Sequence, residues 1–197
     1  MKKIQVLEKN ENIGKIYHKL KYQWIEDNKT QVKVSLFYKN TTLYISFDVF
    51  ENEIRRKTTH NNDKVYQDSC VECFFQIPES RDYYNFEFSA SSFVLVGRGE
   101  NRDNRISFND ETLNQIKRKV TILDEGKGLS HWMIDIEIDL IKWGLIKDLD
   151  LQKQELKANF YKCGDKLKSP HYFSLFDVDS EIPNFHKPSS FGTLSFI

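Results

Sequence analysis

Apolar and polar residues alternate with a period of two along most of this chain, the pattern of strands that bury one face. The strictest case is HWMIDIEIDL, where Trp132, Ile134, Ile136, Ile138 and Leu140 share one side. Gln31 to Tyr38 places Val32, Val34, Leu36 and Tyr38 together, Lys39-Asn40-Thr41 turns the chain, and Leu43 to Phe50 returns. That spacing predicts a hairpin. Val65 to Ile77 and Tyr83 to Ala90 form a second pair across Pro78-Glu-Ser-Arg-Asp82, and Ser92 to Val96 continues the meander. Gly97 to Asn104 reads as a polar loop. Lys117 to Leu123 and His131 to Ile138 flank a glycine-rich turn, and Leu156 to Cys163 and the last apolar run add two more strands. Two segments break the pattern. Ile13, Ile16, Tyr17, Leu20 and Trp24 recur at helical spacing, which predicts a short amphipathic helix. Asp139 to Gly144 predicts one helical turn, with Asp139 as its cap. No linker or repeat divides the chain. The expectation is a single all-β domain over residues 1–197, an antiparallel β-sandwich of jelly-roll-like type with one or two short helices, and with residues 1–25 as an N-terminal extension.

Composition narrows the partners. A 39% hydrophobic share over 197 residues is enough for a core without disulfides. The 29 basic residues balance 29 acidic ones, so no net field draws the chain to nucleic acid or an anionic membrane, and neither is expected as a partner. No apolar run approaches the roughly 20 residues of a membrane span. The opening MKKIQVLEKNENIGK has no apolar stretch of signal-peptide type, which gives a cytoplasmic expectation. Cys70-Val-Glu-Cys73 has C-x-x-C spacing, but on a strand residues three apart point to opposite faces. A zinc site needs further ligands at matching spacing, and the sequence offers none. Cys70, Cys73 and Cys163 are expected as buried, reduced thiols.

Candidate chemistry lies on the polar face of three strands. With Val71, Cys73 and Phe75 inward, Glu72 faces out; with Phe86 and Phe88 inward, so do Asn85, Glu87 and Ser89; with Ala158 and Phe160 inward, so do Asn159 and Tyr161. Carboxylates and amides of this kind give and accept hydrogen bonds at adjacent sugar hydroxyls, and Tyr66 on the incoming loop suits stacking on a pyranose ring. Any half-buried sheet shows polar alternation, so spacing alone does not separate a ligand face from a solvated one.

The motifs add a resemblance. Tyr66 ahead of Asp68-Ser69-Cys70-Val71-Glu72, the run Asn159-Phe-Tyr-Lys-Cys-Gly-Asp165, Pro170-His171 and Pro183-Asn-Phe-His-Lys-Pro188 together resemble the family 9 carbohydrate-binding modules, in the branch common in gut Bacteroidetes. The likeness runs from about Trp24 to Ile197. It implies a DOMON-like sandwich that binds a mono- or oligosaccharide without catalysis, in support of carbohydrate catabolism. It also implies that Tyr66 stacks on the sugar and that Glu72 contacts it. Glu87 and Ser89 stand where the family has an arginine and an asparagine. Where the family shows Ser-Trp, the second aromatic wall, this chain has Ser174-Leu175-Phe176, so Phe176 becomes the candidate wall. No cofactor is expected, apart from the structural calcium known in the family, for which Asp177, Asp179 and Glu181 are the acidic run. His171 and His186, beside prolines, read as loop anchors. Two other classes stay open at this point. A glycoside hydrolase would use Glu72 and Glu87, although an open sheet face does little to tune a carboxyl. A haem-binding relative would need an axial Met or His pair in a deep apolar pocket, and Met133, the only internal methionine, shares its strand face with the polar His131, Asp135 and Glu137.

Overall fold

The computed structural model describes residues 2–10, 13–126 and 128–197. Its strands are β1 (Lys3–Glu8), β2 (Tyr17–Lys19), β3 (Lys21–Tyr22), β4 (Gln31–Lys39), β5 (Thr42–Glu51), β6 (Cys70–Gln76) and β7 (Tyr83–Ser89). They continue as β8 (Val94–Gly99), β9 (Ile106–Ser107), β10 (Lys117–Asp124), β11 (Ser130–Asp139), β12 (Glu155–Cys163), β13 (Phe173–Ser174) and β14 (Gly192–Phe196). One short helix, α1 (Asp110–Leu113), starts at Asn109, whose side chain accepts from the Thr112 amide. Two layers form because β1 changes partner along its length. Lys3–Val6 pairs in parallel with β14, and Leu7–Glu8 pairs in parallel with β4. The first sheet runs β14-β12-β6-β7-β8-β9, and the second runs β4-β5-β11-β10.

Between the layers lies the core that the alternation predicts. Val32, Val34, Ile45, Phe47, Trp132, Ile134 and Ile136 of the second sheet meet Val71, Cys73, Phe75, Phe86, Phe88 and Phe160 of the first. Phe47 and Phe160 touch across the gap, their ring centres 6.3 Å apart. Burying each large side chain contributes about 1.5–3 kcal/mol.

One end of the core is closed by charge. Lys162 and Glu51 are both fully buried, with Nζ 2.9 Å from Oε2. This approach lies off the hydrogen-bond line, so it is an ion pair rather than a directed bond. Lys162 also donates to the Cys163 carbonyl at 2.7 Å, and the Trp132 indole donates to Glu51 Oε1 at 2.6 Å. His171 Nε2 lies 3.0 Å from Lys162 Nζ. Burial pushes the Glu51 pKa up, and Lys162 with His171 more than reverses that, to about 2.

The N-terminal helix does not form. Tyr17–Lys19 pairs with β4 and Lys21–Tyr22 with β13. Of the apolar residues at helical spacing, Leu20 is buried while Ile13 and Ile16 are exposed. A helix this short is marginal in water, whereas the edge of β4 offers backbone partners directly. The Asp139 turn does form, as a capped turn rather than a helix. Asp139 Oδ1 accepts from the amides of Ile141 and Lys142, both at 3.1 Å.

Candidate functional site

The outer face of the first sheet carries the residues that parity assigned to it, but it is not open. Cross-strand register sets Glu72 opposite both Glu87 and Tyr161, and Phe74 opposite Asn85 and Asn159. Residues 178–191 and Trp24 fold over this face. Val178, Phe185 and Phe191 pack there on Phe74, Tyr83 and Tyr161, with Trp24 and Tyr172 alongside, as a second apolar cluster. Glu72, Asn85, Glu87, Ser89, Asn159 and Tyr161 are all at most 5% exposed. The expectation of a solvated polar surface is therefore corrected. Loop residues have no period, so nothing in the strand pattern announced this cover.

What remains open is a cavity of about 270 Å³ at one end of the face, with Glu72, Asn85 and Glu87 on its floor and Tyr66, Trp24, Tyr172 and His186 at its rim. Tyr66 sits in a single 3-10 turn, Val65–Gln67. Its carbonyl accepts from the Asp165 amide at 3.1 Å, which ties that turn to the exit of β12. Asp68, next in the motif, is wholly structural. It pairs with Arg55 at 2.6 Å and accepts from Lys57 N, Thr58 N and Thr58 Oγ1.

Four of the sequence-predicted residues line the cavity and four do not. Tyr66, Glu72, Asn85 and Glu87 do. Ser89 Oγ instead hydrogen-bonds Thr58 Oγ1 at 3.0 Å, and Asn159 holds the Phe176 backbone through both its side-chain atoms. Tyr161 is stacked beneath Phe185 at 4.2 Å and bonds its carbonyl. Phe176 belongs to the inter-sheet core, against Gly192, and does not wall the cavity.

Aromatic residues from elsewhere take that place. Trp24 lies 5.8 Å from Tyr172 and 5.4 Å from Phe185, and its indole donates to the Ser180 carbonyl at 2.6 Å. Its φ is +59°, a left-handed backbone that a bulky residue rarely adopts. Such strain costs about 1–3 kcal/mol and gathers at functional sites. Periodicity had assigned Trp24 to a helix. Arg105 was also missed, because it follows a polar loop with no pattern. It donates to the carbonyls of Tyr83 and Gly97 at 3.0 Å and lies over the Tyr83 ring. Gly97, opposite Asn85, leaves room for these groups: a Cβ there would fall 2.6 Å from Asn85 Oδ1 and 2.7 Å from Arg105 Nε.

The floor is short of hydrogen-bond partners. Asn85 Nδ2 donates to Glu87 Oε1 at 2.7 Å, but Asn85 Oδ1, Glu87 Oε2 and Arg105 Nε have no protein partner. Burial lifts the Glu87 pKa to about 7 despite the Asn85 bond and Arg105. Burial, then Cys163 and Glu87 alongside, lifts Glu72 well above the usual carboxylate range. Both carboxyls thus move the same way. His186 bonds the Tyr83 hydroxyl at 2.8 Å and is neutral, since burial and then Arg105 take its pKa down to about 3.

The other candidates are engaged elsewhere. His171 is part of the Glu51–Lys162 cluster. Asp177 pairs with Lys2 at 3.3 Å, and among the described residues Asp177, Asp179 and Glu181 do not bring their carboxylates into one coordination sphere, so the side chains do not fit a calcium ion. On the outer face of the second sheet, Met133 is half-buried and His131 bonds Asp48 at 2.6 Å under a stacked Phe50. In a larger hollow of about 470 Å³ on that sheet, Lys15 pairs with Asp135 and Lys117 with Glu137.

A sandwich with a small aromatic-rimmed cavity on one outer face is the build of a binding module. The family model for carbohydrate-binding family 9 matches residues 6–196, and the chain belongs to that family. Its fold matches a candidate carbohydrate-binding protein from Bacteroides uniformis ATCC 8492 with a TM-score of 0.88 at 27% identity, over 100% of this chain and 99% of that one. A family 9 module from Caldicellulosiruptor kristjanssonii in complex with cellotriose matches with a TM-score of 0.64 at 14% identity, covering 99% and 93% of the two chains. The same organism's module in complex with glucose matches with a TM-score of 0.63 at 15% identity, covering 100% and 96%. A search of curated proteins finds no match.

Proposed function

We propose that this chain binds one ring of a neutral saccharide in the cavity above Glu72, Asn85 and Glu87, without catalysis. The observation that carries this reading is the cavity's polar lining, Glu72, Asn85, Glu87 and Arg105, beneath a rim of Tyr66, Trp24 and Tyr172. Adjacent hydroxyls of a sugar satisfy such a set of donors and acceptors, while its C–H faces lie against Tyr66 and Trp24. A volume of about 270 Å³ is just below the ~300–1,000 Å³ of drug-sized pockets, which supports a single ring rather than a long chain segment. The family and the two Caldicellulosiruptor complexes support a saccharide of the glucose or cello-oligosaccharide kind.

Intrinsic fluorescence tests this. Of the three tryptophans only Trp24 lines the cavity; Trp132 and Trp143 are core. Titration with D-glucose and cellotriose is expected to change the emission of the wild type and not that of Trp24→Phe. A response of equal size in Trp24→Phe would place the sugar elsewhere.

A further inference from the structure

The C-x-x-C spacing hid a different group of ligands. Register sets Cys163 of β12 directly opposite Cys70 of β6, and alternation puts Glu72 on the same face. Cys73 lies on the other face, in the inter-sheet core. Among the described residues, Cys70 Sγ, Cys163 Sγ and a Glu72 carboxylate oxygen all lie within 4.8 Å of one another. Cys163 Sγ already donates to Glu72 Oε1 at 2.9 Å. All three side chains are buried, at 0%, 2% and 4% exposure, so this is not a chance cluster of surface acids.

We propose that Cys70, Cys163 and Glu72 form a site for a soft or borderline divalent cation of the zinc class. A tetrahedral zinc, with bonds of about 2.3 Å to sulfur and 2.0–2.2 Å to oxygen, holds its donor atoms about 3.5–3.8 Å apart. Cys163 Sγ and Glu72 Oε1, now 2.9 Å apart, would separate by under 1 Å to reach that figure, and all three donors lie within 4.8 Å of one another. Two thiolates select against calcium and magnesium, which take oxygen ligands. Cys163 and Glu72 also line the cavity, so the fourth coordination position faces the open space. Three protein ligands with one open position is the arrangement in which zinc accepts water or an incoming hydroxyl. Loading releases the thiol protons to solvent. A disulfide between the two cysteines would make no use of the third donor, the Glu72 carboxyl already in contact with Cys163. The site does not depend on whether the cavity takes a sugar.

The test uses the full chain, reduced and stripped with a chelator, titrated with Zn²⁺ against a chromophoric chelator and separately with Co²⁺. The expected result is one metal per chain, with a thiolate-to-cobalt charge-transfer band and the visible bands of tetrahedral cobalt. Cys70→Ala and Cys163→Ala should each lower zinc affinity by more than the roughly 10–100-fold that loss of a supporting hydrogen bond costs. Cys73→Ala should leave both the affinity and the cobalt spectrum unchanged. If either ligand variant fails to fold, the wild type still decides, because Zn²⁺ should raise its thermal midpoint and Ca²⁺ should not. Absence of the cobalt–thiolate band overturns the proposal. So does loss of metal binding in Cys73→Ala. Purification of the chain with Cys70 and Cys163 joined, leaving one titratable thiol after denaturation, overturns it in favour of a disulfide.

Discussion

Replacing Lys162 by Met removes one partner of a pair that has no access to water. The ammonium lies 2.9 Å from Glu51 Oε2 and 3.0 Å from His171 Nε2, and both members of the pair are fully buried. Breaking a buried ion pair from one side costs about 3–5 kcal/mol, because the surviving charge is stranded. The pKa gives a second route to the size. Glu51 falls from its ordinary 4.5 to about 2 in the folded chain, and a gap of that width corresponds to roughly 3 kcal/mol. A depressed carboxyl stabilises fully above its unfolded pKa, and that contribution is lost as pH falls from about 4.5 through about 2. Urea denaturation of wild type and Lys162→Met from pH 2 to 8 measures this. The wild type should lose stability over that acid window, and the variant should lose much less there. At pH 8 the variant should be about 3–5 kcal/mol less stable than the wild type. Burial and the Lys162 charge hold the His171 pKa down, so in the variant His171 should protonate more readily and soften the deficit below pH 6. The double variant Glu51→Gln/Lys162→Met should lose less than Lys162→Met alone, since no charge is stranded. A deficit under about 1 kcal/mol with an unchanged acid profile would refute the reasoning.

Tyr66→Ala should weaken sugar binding by about 1–2 kcal/mol, or roughly 5–30-fold, by calorimetry, with little change in thermal midpoint because the ring is at the rim. Glu72→Gln should cost about 0.5–1.5 kcal/mol of affinity, because burial raises the Glu72 pKa and so favours the neutral carboxyl that the amide resembles; a loss several-fold larger would mean that the ionised form binds. Gly97→Ala should reduce affinity by more than about tenfold and cost about 1–3 kcal/mol of stability, since the new methyl meets Asn85 Oδ1 and Arg105 Nε. Equal sugar binding in that variant would remove these two groups from the site.

The sandwich was legible because its core-facing residues alternate without interruption. Trp132 to Ile138 and Val32 to Tyr38 are buried at every second position, as read. The same parity put Glu72, Asn85 and Glu87 on one face, where they are. Exposure was not legible. Whether a polar face meets water depends on segments such as 178–191, whose conformation is set by tertiary contacts and prolines rather than by periodicity. Trp24 was misread for a related reason. Apolar residues at helical spacing score as a helix even when strand edges claim the backbone and the side chain is turned into a cavity. The partnership of Cys70 with Cys163 rests on strand register, which short-range spacing does not encode. Phe176 looked like a displaced aromatic wall, but its place against Gly192 makes it core.

The central claim is that the polar side chains lining the cavity and its aromatic rim bind a saccharide ring. Isothermal titration of the wild type, Tyr66→Ala and Glu87→Gln with D-glucose and cellotriose at millimolar concentration tests it most directly. The account predicts one site per chain on the wild type, with affinity reduced in both variants while their thermal midpoints show the fold intact. Undiminished binding in both variants, or no heat of binding to the wild type from either sugar, would contradict it.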